Sequence, residues 1–338
     1  MKSLLLAGFA AALLLSAPDM QADESAVAGA AQAGAATAPR PNRQSADDAW
    51  WTGPLLASTA ATLPQGHLYL EPYLYDSLPY ARFDSSGQSH AVPHESRFGS
   101  QTYINYGVTD LLTVGLIPRF GYDWVAGGPS SAGIGVGDPS VQFQYRLTQF
   151  QPGSWVPTFS LNLQESLPIG RYDRLQRPSD AFGSGAWTTT LGAYFQSLFW
   201  MPGGRILRAR LDLSYAMSGN VPVDGASVYG TPVGFHGHAG PVDSVYVDLA
   251  AEYSVTRNWV LACDLWIERD GNPRIRGLLP GGSTLEANSA ASREVIVAPA
   301  LEYNWSARLG IIFGARVIAT GRNATAFVTP VAAVSYFL

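Results

Sequence analysis

From Trp50 to the C-terminus, apolar residues recur at every second position in segments of about ten residues. A period of two belongs to strands with two unlike faces. The last stretch, AFVTPVAAVSYFL (Ala326–Leu338), shows it plainly. Val328, Pro330, Ala332, Val334, Tyr336 and Leu338 make one wholly apolar row. Thr329, Val331, Ala333, Ser335 and Phe337 make a smaller, mixed one. Elsewhere the second row is polar. Ser140, Gln142, Gln144 and Arg146 interleave with Val141, Phe143, Tyr145 and Leu147; Arg208, Arg210 and Asp212 interleave with Leu207, Ala209, Leu211 and Leu213. A terminal strand without a polar tail leaves an open edge unless it pairs with the first strand.

The connections sharpen the expectation. Gly107–Asp110, Thr148–Trp155, Trp200–Arg205, Thr256–Asn258 and Asn304–Arg308 are short. Between them fall the longer Asp76–Ser96, Gly121–Gly135, Pro168–Gly185, Met217–Pro241 and Arg269–Ser292, and a shorter loop at Gly321–Thr325. Roughly ten residues let a tilted strand cross a bilayer. The pattern predicts an all-β fold, an antiparallel up-and-down transmembrane β-barrel of about 12 strands, with tight periplasmic turns, larger outer loops and both termini in the periplasm. Trp155, Trp200, Trp259 and Trp305 at the short turns, with Tyr106, Tyr145, Tyr253, Tyr303 and Tyr336, predict an aromatic girdle at that side. Glu165 interrupts the scheme: it falls on an apolar row, so its strand leaves the bilayer near Gln164 or Glu165 sits at the outer rim.

The chain has 338 residues and a formal charge of −5, with Lys2 its one lysine. There is no basic patch for nucleic acid. Cys263, the single cysteine, excludes an internal disulfide and a cysteine-built zinc site. Lys2 followed by the apolar Leu4–Leu15 reads as a cleaved export signal over residues 1–22. The Ala/Gly/Pro-rich residues 23–49 read as a disordered periplasmic linker, and residues 50–338 as the outer-membrane barrel.

If the polar rows face inward, Glu71, Arg119, Arg146, Arg208, Arg210, Asp212, Asp248, Glu252, Asp264, Glu268, Glu294, Glu302 and Arg316 line the lumen. Both signs can pair across neighbouring strands, either as a structural ladder or as a passage that steers charged solutes. The expected partners are outer-membrane lipid, small-molecule solutes and, through the C-terminal strand, the barrel-assembly machinery. No cofactor is implied and no enzymatic chemistry is predicted. An enzyme reading would use Ser96 and His94 as nucleophile and base on the outer wall, but Asn105 lies far along the strand for an orienting group. His236 and His238 are two ligands without the further ones a metal needs. GIGVGDP, from Gly133, precedes a strand and so is not a phosphate loop.

Three stretches resemble a known family. TGPLLASTAATLPQGHLYLEPYLY (52–75), YGVTDLLTVGLIPRFGY (106–122) and GVGDPSVQFQYRL (135–147) are similar to the outer-membrane transporter-like family named for the MetA pathway of phenol degradation. The resemblance runs from about Thr52 to the C-terminus. It implies a β-barrel channel that passes small molecules, hydrophobic or aromatic ones among them. It assigns no site residues.

Overall fold

The computed structural model describes residues 43–338, His94 excepted. Twelve strands form a meander in which each pairs antiparallel with the next: β1 (Leu68–Phe83), β2 (Glu95–Thr109), β3 (Leu112–Ile117, continuing as Arg119–Val125), β4 (Ser140–Thr148), β5 (Thr158–Ser166), β6 (Thr188–Trp200), β7 (Ile206–Ser218), β8 (Ser244–Ser254), β9 (Trp259–Asp270), β10 (Ser292–Ser306), β11 (Leu309–Arg322) and β12 (Thr325–Phe337). The break in β3 falls at Pro118, which has no N–H to give the ladder. β12 then pairs with β1, from Tyr69 opposite Phe337 to Arg82 opposite Thr325. The sheet closes and the last strand has no free edge, as the terminal alternation predicts.

The two faces are inverted relative to a water-soluble protein. Phe313 is 48% exposed and Leu249 48%, whereas Asp248, Glu252, Asp264 and Glu302 are 0% exposed. Large apolar side chains therefore point outward all round and carboxylates point in, the arrangement a hydrocarbon solvent imposes on a barrel. No helix among the described residues is long and apolar enough to cross a membrane, and the strands do the crossing.

Trp155, Trp259 and Trp305 are exposed at the short-turn end, as expected of a girdle. Trp200 departs from it. It lies on the inward row of β6, where its Nε1 donates to the Gln44 carbonyl at 2.8 Å and Arg43 stands 5.4 Å over its ring. Glu165 resolves to the second alternative: it is the next-to-last residue of β5 and accepts from Thr189 Oγ1 at 2.6 Å, at the outer rim.

Strands at the loop end run farther than the alternation indicates, β1 to Phe83 and β3 to Val125. Beyond them the loops hold one another. Val221–Asp224, His236–Gly240, Arg274–Leu278 and Thr284–Asn288 build a separate four-stranded sheet over a small core of Val223, Phe235 and Ala239. Gly and Pro between such short strands hid this sheet from the period-two pattern. Residues 1–42, with the expected export signal and most of the expected linker, lie outside the described residues. Residues 43–49 carry one 3-10 turn at Ala46–Asp48 and tie to the short turns through Gln44 N to Gly204 O at 2.9 Å.

A charge at mid-height on the outward face tests the inversion. Leu249→Arg should lower stability in lipid vesicles by about 2–4 kcal/mol, measured by equilibrium unfolding. An unchanged midpoint would mean that this face does not meet hydrocarbon.

Candidate functional site: a lumen occupied by the N-terminal segment

Residues 50–66 precede β1 and run inside the barrel. They have no strand pairing of their own, so their backbone groups must find partners on the wall. The wall supplies carboxylates. Glu302 on β10 accepts from the N–H of Thr52 at 2.6 Å and of Gly53 at 3.3 Å. Asp264 on β9 accepts from three consecutive N–H groups, Leu55 at 3.0 Å, Leu56 at 3.3 Å and Ala57 at 3.0 Å. Asp212 on β7 accepts from Ser58 N at 2.6 Å. In return Arg210 donates to the Ala57 carbonyl at 2.9 Å. Hydrogen bonds to a buried charge are the stronger kind, about 1.5–3 kcal/mol each.

The segment then crosses to the other wall. Gln144 on β4 donates to the Thr59 carbonyl at 2.8 Å, Ser160 on β5 donates to the Ala60 carbonyl, and Thr113 on β3 accepts from Leu63 N at 2.8 Å. β10 and β4 stand half-way round a twelve-stranded barrel from each other, so the segment spans its diameter. Both limbs reach the short-turn mouth. Trp50 lies under Arg257 of the β8–β9 turn, and Thr62 Oγ1 donates to the Asp110 carbonyl of the β2–β3 turn at 2.6 Å. The middle, Leu55 to Ser58, sits at the depth of Asp264 and Asp212, near mid-strand. It is a loop inserted from below.

Two glycines make room. Gly53 holds φ at +126°, a conformation other residues avoid, directly beside the Arg210 guanidinium. A Cβ on Gly310 would collide with Thr52 Oγ1 and the Asn304 side chain, which are themselves bonded at 3.1 Å. Arg208 stands 4.5 Å over the Trp51 ring and binds Glu252 through Nε to Oε2 at 2.6 Å and through Nη2 to Oε1. Arg210 Nε is 3.1 Å from the same Oε2. Both arginines thus serve Glu252, and they leave Glu302, Asp264 and Asp212 to the backbone of the loop. Leu55 packs on Tyr73, Ala298, Ile312, Val331 and Ala333, an apolar patch on the wall that runs from β10 through β12 to β1.

The thirteen candidate lumen residues are placed as follows. Glu71, Arg208, Arg210, Asp212, Asp248, Glu252, Asp264 and Glu302 are buried on inward rows. Asp248 faces Asp212 across the β7–β8 ladder. Arg316, half-buried, stands 5.2 Å over Tyr75. Glu268 accepts from Trp266 Nε1 at 3.1 Å and is the cross-strand partner of Glu294. Arg119 donates to the Asp138 carbonyl and to Ser140 Oγ near the outer end, and Arg146 lies toward the short turns, opposite Ser160. The structure gathers the middle group into one cluster and leaves these last five apart. The alternation did not show the loop's backbone donors or the wall residues Gln144, Ser160 and Thr113 that grip it. The available signal was an excess of inward acids over inward arginines, which calls for donors from elsewhere.

The remaining sequence candidates lie outside the lumen cluster. Ser96 Oγ donates to Asp76 Oδ1 at 2.7 Å. Asn105, nine positions along β2, accepts from Gln142 at 2.8 Å. His236 Nδ1 lies 2.8 Å from Asp224 Oδ1, and Arg174 donates to Asp224 Oδ2 at 2.6 Å. The guanidinium first and the imidazole second hold the Asp224 carboxyl below its usual range. Among the described residues no three His, Cys, Asp or Glu side chains converge as a metal set.

Fold and lumen together define a twelve-stranded barrel of the outer-membrane type with its own N-terminal segment inserted as a plug. Among solved structures, the chain is similar to an outer membrane channel from Pseudomonas putida F1, at 15% identity and a TM-score of 0.65, over 84% of this chain and 100% of that one. That likeness shows a shared fold. The translocator domain of the autotransporter NalP from Neisseria meningitidis aligns at 12% identity and a TM-score of 0.43, over 81% of this chain and 89% of that one. A mutant of the TodX monoaromatic hydrocarbon channel aligns at 13% and 0.42, over 81% and 91%. No protein-family model and no curated protein matches the sequence.

Asp264→Ala leaves three N–H groups without their acceptor and should weaken docking of the loop by at least about 2 kcal/mol. Protease nicking between residues 43 and 66 should rise accordingly while the folded barrel keeps its heat-modifiable gel migration. Gly310→Ala should act the same way by collision. Nicking at the wild-type rate in both variants would remove these contacts as the anchor.

Proposed function

We propose that the protein is an outer-membrane channel for small molecules, hydrophobic or aromatic ones among them, and that residues 50–65 regulate the passage. One observation carries the reading. The loop crosses the lumen held by side-chain-to-backbone hydrogen bonds, not by sheet pairing, and both its limbs open to the same mouth. It can therefore leave without disturbing a single bond of the barrel ladder. A cavity of about 330 Å³ beside it is lined by Leu55, Tyr69, Tyr73 and Tyr103 on one side and by Asn105 and Gln142 on another. That size and mixture suit one small, partly apolar molecule. The resemblance of residues 52–75, 106–122 and 135–147 to the MetA-pathway transporter-like family supports the same substrate class. In this reading residues 1–22 are an export signal removed in the periplasm, and the C-terminal strand engages the barrel-assembly machinery.

Deletion of residues 43–65 should raise solute flux in a liposome-swelling assay several-fold over the undeleted protein, for an uncharged aromatic alcohol as for a sugar of similar size. Swelling no faster than in protein-free vesicles, with and without the loop, would reject a channel.

A further inference from the structure

At the loop end, the outer face of the barrel has a row of arginines. Arg269 on β9 is the direct cross-strand partner of Arg293 on β10, and Arg293 is the direct partner of Arg322 on β11. Arg82 on β1, opposite Thr325 of β12, stands just beyond the β11–β12 turn. All four are exposed. Each of the three paired arginines ends an outward apolar row, of which Ile267, Val295 and Val317 are members. Among the described residues, none of the four belongs to an ion pair. Like charges directly opposite on neighbouring strands destabilise a sheet, so an anion is the missing partner.

The height of the row says which anion. From Trp259 at the short-turn girdle to Arg269 is ten residues, roughly 33 Å along the strand. At a tilt near 40° that is about 25 Å of height, the thickness of the apolar band of such barrels. The arginines thus stand where hydrocarbon gives way to headgroups. At the same level on β5 and β6 the rim presents Glu165 and Thr189 instead, so the basic character is confined to one flank.

We infer that Arg269, Arg293 and Arg322 bind the phosphate groups of an anionic glycolipid of the outer leaflet. The guanidinium fork matches phosphate oxygens in pairs. A lipid has a second contact that a free anion lacks: its acyl chains lie along Leu265, Val297 and Val317 directly below. One molecule then satisfies both the charged and the apolar part of the flank.

The test uses the full chain folded in detergent, with diphosphoryl lipid A as probe and native mass spectrometry to count bound lipid. Wild type should retain lipid A at least tenfold better than R269Q/R293Q/R322Q, and better than it retains lipid A stripped of its phosphates. Both proteins must show heat-modifiable migration. Should the triple variant fail to fold, R293Q alone, at the centre of the row, should lose retention several-fold. Equal retention by wild type and R293Q or the triple variant would overturn the inference. So would millimolar inorganic pyrophosphate displacing the lipid entirely, which would mark a site for a free anion.

Discussion

Most carboxylates enclosed by the barrel find donors, and this requirement organises the interior; Asp248, with neither oxygen bonded, is the exception. Glu252 takes both central arginines. Glu302, Asp264 and Asp212 are left with acceptor capacity on adjacent parts of one wall, at rising depth. An enclosed charge without donors is far costlier than one that is bonded. The donors come from a stretch of backbone with no secondary structure of its own, so each side supplies what the other lacks. Residues 52–58 have spare N–H groups because they are in no sheet, and the wall has spare oxygens because the sheet uses only backbone.

The strand number sets the room in which this happens. Eight strands leave an interior that side chains fill, and sixteen leave open water. Twelve leave a space that inward Glu and Arg side chains line without filling, and one turn of chain completes it. The apolar part of the same loop, Leu55, settles on the other kind of wall, the Tyr73, Ile312 and Ala333 side. The interior is therefore two-sided, with most of its charge on β7 to β10 and mostly aromatic and aliphatic surface on β11, β12 and β1, where Glu71 and Arg316 are the charged exceptions. A molecule in the cavity beside the loop touches some of each.

The barrel was legible in the sequence because its cause is periodic. Outward Leu, Val and Phe at alternate positions follow from the solvent, and parity alone put Asp212, Asp264 and Glu302 inside. Glu165 was flagged by the same rule, and it lies at the rim that the rule requires. The plug was not legible, because it is held by backbone N–H groups that every sequence has. WWTGPLLASTAATLPQ has no period; Gly53, which alone suits its dihedral, looks like any loop glycine. Trp200 misled for a related reason: the girdle rule counts aromatics near turns, but the row of the strand decides which way they point. The loop sheet escaped because strands of four or five residues give alternation too few positions to register.

Closure of the cylinder joins Tyr69 to Phe337, the two ends of the whole repeat. Tethering chain ends that far apart costs on the order of 5 kcal/mol in entropy, growing only slowly with length. The seam between first and last strand is thus the natural final event of assembly, when all other ladders already exist. Because the lumenal loop is attached just ahead of the first strand and hangs from the lower rim, it imposes no order on that event. It can be wrapped as the seam zips, or slip in afterwards from beneath, without threading the chain through anything.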